Sequence, residues 1–156
     1  MFGSTAFLVI IVLTLLVFAV PEWLKYYLTL GLLVAGIALT SSWSAGILAG
    51  AGQAYELPLF TAATGTRMVL VVDRLSAFFI LVVNFTVLIG FLYARGYLEP
   101  YRARMNALRF SIHYFSYLWL WISMLMVVMI RDGLAFLIVW EIMALSSFFL
   151  VIFDAE

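Results

Sequence analysis

The sequence predicts an all-α polytopic membrane protein with five transmembrane helices, and three observations lead there. Of its 156 residues, 67% are hydrophobic and 10% charged, whereas soluble domains are about half apolar and about a quarter charged. The apolar residues fall into five runs, each close to the ~20 that a helix needs to cross a bilayer. Trp and Tyr gather at the ends of these runs, where amphipathic rings meet lipid headgroups. A soluble chain of this size would expose far more apolar surface than its core could hide, so lipid must cover the rest.

The first span is Phe2–Val20. It has no basic residues before it and no small-x-small cleavage pattern before Pro21, so it reads as a retained helix rather than a secretory leader. Pro21 breaks the run and forces a tight return through Glu22, Trp23 and Lys25. The second span, Leu24–Ser42, begins among the interfacial rings Trp23, Tyr26 and Tyr27. A long connection follows over residues 43–74, expected as an extracytoplasmic loop. It is rich in Gly and Ala and ends in the β-branched run Val69-Leu70-Val71-Val72, which predicts one short strand before Asp73. The remaining spans are Leu75–Tyr93, Phe110–Ile130 and Leu134–Phe153, with Trp43, Tyr93 and Tyr97 at span ends.

Charge sets the expected orientation. Lys25, Arg95, Arg102, Arg104 and Arg109 lie on one side, and Arg67, Arg74 and Arg131 on the other, beside Glu56, Asp73 and Asp132. Excess Lys and Arg stay cytoplasmic, which puts the amino terminus outside and the carboxyl terminus inside. The adjacent opposite charges Asp73-Arg74 and Arg131-Asp132 mark span boundaries. The net charge of +0 gives no reason to expect a nucleic-acid partner, and the absence of cysteine removes disulfide and thiolate chemistry. With one histidine, the chain alone offers no His-rich metal site or haem pocket, so no cofactor, metal site or catalytic residue is expected in it.

Glu141 stands out in Phe136-Leu137-Ile138-Val139-Trp140-Glu141-Ile142-Met143. It lies about 12 Å into its helix at 1.5 Å per residue, too deep for a short carboxylate to reach water. A charge there costs at least ~2.5 kcal/mol, so its default reading is functional. The bland alternative is a neutral carboxyl hydrogen-bonded for packing. On a helical wheel Leu137, Ala144, Leu145 and Phe148 share its face, while Ser146 and Ser147 lie roughly 140° and 120° away. Those serines read as places where a neighbouring helix comes close, and Glu141 must find its partner on another helix or chain.

The fourth span carries a polar stripe, His113, Ser116 and Tyr117 at i, i+3 and i+4, with Ser123 off the line. His113 is a second candidate for proton transfer, since imidazole titrates near neutral pH; the alternative is an interfacial His among headgroups. Asn84, in the third span, reads as an interhelical hydrogen-bond contact.

Two segments resemble one family. Val72-Asp73-Arg74-Leu75-Ser76-Ala77-Phe78-Phe79 is similar to the D-x-L-S-x-x-F start of the third helix in antiporter-like, proton-conducting membrane subunits. These occur in respiratory complex I, membrane-bound nickel–iron hydrogenases, formate hydrogenlyases and multisubunit Na⁺/H⁺ antiporters. Trp140-Glu141-Ile142-Met143-Ala144-Leu145-Ser146-Ser147 resembles their W-E-x-x-x-L-x-S segment, closest to component B of the hydrogenase-4 and formate hydrogenlyase branch. The resemblance implies that Glu141 is the family's key glutamate, which pairs with a lysine two helices later. It also implies a chain that is an amino-terminal fragment or a split subunit. Its partners would be other membrane subunits, one of them supplying the remaining helices and the lysine, in the cytoplasmic (inner) membrane. Any redox centres would then sit on those subunits. Two rival readings remain, a small proton-coupled cation exchanger acting as an oligomer, and a structural subunit holding a larger complex together.

Overall fold

The computed structural model describes residues 2–50, 55–61, 67–99 and 106–154. Five helices and one β-hairpin occupy them: α1 (Phe2–Ala19), α2 (Glu22–Leu48), β1 (Tyr55–Thr61), β2 (Arg67–Val72), α3 (Arg74–Leu98), α4 (Ala107–Met129) and α5 (Gly133–Val151). A 3-10 turn over Ile152–Asp154 follows α5. Four helices, α2 to α5, are long and apolar enough to cross a membrane. Arg102, Arg104, Gln53 and the terminal Glu156 lie outside the described residues.

Each helix starts where its local chemistry allows. Pro21 sits at the N-cap of α2 with φ −62°, where a missing N–H costs nothing. Asp73 caps α3 by accepting from the Ser76 amide at 2.7 Å, and Asp132 caps α5 by accepting from the Ala135 amide at 2.9 Å. The second helix runs six residues beyond Ser42, so the connection expected to begin at Trp43 begins after Leu48 instead. The polar run Thr40-Ser41-Ser42 does not stop it, because Thr40 and Ser42 donate their hydroxyls back to the carbonyls of Gly36 and Leu39. The stop comes at Gly50, whose φ of +79° favours glycine. Trp43 therefore lies within the helix rather than at its end.

The expected single strand is half of an antiparallel hairpin, with Tyr55 opposite Val72 and Thr61 opposite Arg67. Pro58 argues against a strand in the sequence, since it has no N–H to give to a ladder. The register shifts between Pro58 and Phe60, and that irregularity accommodates it. Leu70 of β2 then bridges to Ile130, and Leu70, Ile130, Ala135 and Val139 form a small buried cluster. The hairpin thus sits against the α4–α5 turn and beside α1.

The centre of the bundle is α4, which touches all four other helices. Its buried face, including Phe110, Leu118, Trp121 and Leu125, packs on Leu33 of α2 and on Ile80, Val87 and Phe91 of α3. Asn84 supplies a polar joint at 2% exposure. Its amide donates to Thr40 and Ser41 of α2, its carbonyl accepts from the Trp121 indole of α4, and all three distances are 2.9 Å. Gly36 leaves room for that indole, since a Cβ there would collide with the Trp121 ring. In the same way Gly90 makes space for Tyr117, whose hydroxyl donates to the Val87 carbonyl at 2.7 Å.

Candidate functional site

Glu141 is the ninth residue of the 19-residue α5, one residue short of its midpoint. Only Ala135, Val139 and Ser146 of that helix are buried, a spacing of four and seven that makes one narrow stripe. Glu141 lies roughly 140° from the stripe on a 100° wheel, so the bundle leaves it exposed. The residues that share its face are exposed with it, Leu137, Leu145 and Phe148 all at more than half. Among the described residues nothing hydrogen-bonds or ion-pairs with Glu141. Ser146 is buried toward α4 and donates to the Ile142 carbonyl at 2.8 Å, while Ser147 faces outward. The close-approach reading therefore fits Ser146 and not Ser147.

What aims Glu141 is the assembly at the hairpin end of α5. Arg131 forms an ion pair with Asp73, the same carboxylate that caps α3. Asp132 caps α5 one residue later. The four acidic and basic residues that mark boundaries in the sequence thus have unequal duties. Asp73 and Arg131 join the starts of α3 and α5, Asp132 starts α5, and Arg74 stays exposed. The Asp73 carboxyl is held below its ordinary range, first by the Ser76 amide and further by Arg131.

His113 is buried rather than placed among headgroups. Its ring lies 4.6 Å from that of Phe153, just after α5, and its Nδ1 has no hydrogen-bond partner among the described residues. The structure does not bring His113 and Glu141 together: His113 points to the end of α5 and Glu141 outward from its middle. The polar stripe on α4 also divides. His113 meets Phe153, Tyr117 turns to α3, and Ser116 lines a groove of about 350 Å³ with Ser146, Trp119 and Phe18. The three residues of the stripe thus face different neighbours.

Lys25 is the residue that the sequence reading places wrongly. It enters the sequence as a loop charge, yet it is 3% exposed and donates to the Ala107 carbonyl at 3.0 Å and the Ser111 hydroxyl at 2.7 Å. A signal existed. A cation in the first turn of a helix opposes the helix dipole, so Lys25 needs a partner beyond its own helix. Among the described residues no group of three or more His, Cys, Asp or Glu gathers as a metal site. No family model matches the chain, and no curated protein matches it either.

Proposed function

We propose that this chain is the amino-terminal five-helix part of an antiporter-like membrane subunit, in which Glu141 loads and releases a proton. One observation carries the reading: a carboxylate midway along an apolar, membrane-length helix, on the face that the bundle leaves uncovered. Lipid is a poor cover for it, at ~2.5 kcal/mol or more for a charged group at mid-helix. A neighbouring element with its own cation satisfies Glu141 and couples the two titrations, so that protonation of one depends on the other. The Trp-Glu segment and the Asp-x-Leu-Ser segment support the same family. In this reading α1 is a fifth span, the complex lies in the inner membrane, and redox chemistry belongs to other subunits.

The test uses vesicles of the assembled complex and measures protons moved per turnover, with each subunit quantified in parallel. Glu141→Gln keeps shape but cannot ionise, and is expected to reduce coupled transport severely at unchanged protein level. Glu141→Asp retains the charge but withdraws it by one methylene, and is expected to reduce transport partly, because distance weighs heavily at low dielectric. Full pumping by the Gln variant overturns the proposal and makes Glu141 a packing residue. A homo-oligomer of this chain alone that releases protons when given a cation favours the exchanger.

A further inference from the structure

At the end of the bundle opposite the hairpin, the start of α2, the end of α3 and the start of α4 enclose a pocket of about 250 Å³. Trp23, Tyr26 and Tyr27 of α2 form one wall, Arg95 and Glu99 of α3 another, and Phe110 and Tyr114 of α4 a third. Because α2, α3 and α4 are all long and apolar enough to span a bilayer, their shared end lies at headgroup depth.

The aromatic wall is fixed in place, and among the described residues neither charge has an ion-pair partner. Tyr26 is buried, stacks on Phe91 with centroids 5.2 Å apart, and meets Tyr27 edge-on at 5.5 Å. The Arg95 guanidinium rests 5.2 Å from the Tyr26 ring centroid, a cation–π contact that sets its position. Arg95 and Glu99 stand one turn apart with the cation toward the amino end, the weaker order for such a pair. They form no ion pair with each other, since the one among the described residues joins Arg131 to Asp73. Trp23 and Tyr27 are more than half exposed.

We propose that this pocket binds the headgroup of a zwitterionic aminophospholipid. Its phosphate meets Arg95, and its ammonium meets Glu99 and the faces of Trp23 and Tyr27. The carboxylate decides between lipid classes. A purely anionic headgroup places its charge beside Glu99, whereas an ammonium answers that charge and the aromatic faces together.

The test is native mass spectrometry of the purified full-length protein, with phosphatidylethanolamine and phosphatidylglycerol offered in equal amounts. The wild-type protein is expected to retain phosphatidylethanolamine about fivefold over phosphatidylglycerol, the span that one partly exposed charge contact provides. Glu99→Gln should abolish that preference, and Arg95→Gln should lower retention of both lipids. Arg109→Gln, exposed and outside the pocket, should behave as wild type and shows that the loss is not a general effect of removing a surface cation. Preference for phosphatidylglycerol in the wild type overturns the proposal, as does an unchanged preference in Glu99→Gln. Complete displacement by millimolar free phosphoethanolamine reassigns the pocket to a soluble amino phosphate and overturns the lipid assignment.

Discussion

Asn84 holds three helices with one amide, and losing it leaves Thr40, Ser41 and the Trp121 indole short of a partner. Hydrogen bonds between membrane helices contribute about 0.6 kcal/mol each on average. Asn84→Ala is therefore expected to cost about 2 kcal/mol, read as a shift in the detergent-unfolding midpoint of the purified protein. The sequence identifies Asn84 as an interhelical contact but not its partners, because a wheel orders one helix's faces and says nothing about which neighbour arrives. Lys25 fails for the same reason, as its acceptors lie more than eighty residues away. Asp73 carries a pH dependence. Its carboxyl is depressed in the folded state, so its contribution is complete above the ordinary carboxylate range and is lost as pH falls through the lower folded value. Unfolding followed from neutral pH to about pH 3 should show a loss of stability at the acid end. In Asp73→Asn that acid limb should shrink, since the amide oxygen can still accept from Ser76 but no longer titrates.

Among the elements, α5 is the one most legible in the sequence. Its apolar run, its Asp132 cap and the outward wheel position of Glu141 all follow from spacing alone. The end of α2 and the first strand do not. The polar run Thr40-Ser41-Ser42 looks like a helix end until the Thr40 and Ser42 hydroxyls are seen to satisfy helix carbonyls. Pro58 looks like a strand breaker until the register shift beside it is seen. For α5 the cap matters locally, because Asp132 accepts from the Ala135 amide, one of the first-turn N–H groups with no helical partner of its own. Asp132→Ala should cost about 1 kcal/mol. The expected readout is faster hydrogen exchange at the Gly133–Ala135 amides, with exchange in α3 unchanged.

For the whole molecule, hydrophobic composition and run length are enough to place four membrane-length helices, because burial in lipid needs no specific partner. Orientation is a different kind of claim and rests on the Lys and Arg balance. A cysteine introduced at Arg102 in intact cells is expected to resist an impermeant thiol reagent, and one at Gln53 to react. The reverse pattern would invert the assignment. The candidate site is legible to the extent that one carboxylate stands out against an apolar helix. Its surroundings are not, because the face it occupies is not covered by any described part of this chain.

That arrangement makes α5 a rail clamped along one edge. At one end Asp73, Arg131, Asp132 and the cluster around Leu70 hold it, and at the other Phe153 rests on Phe110 and His113. Between them Val139 and Ser146 keep one edge against α4, and Glu141 stands on the opposite, bare edge. A partner that reaches for that carboxylate therefore meets a face backed by α4, and docks without parting the bundle.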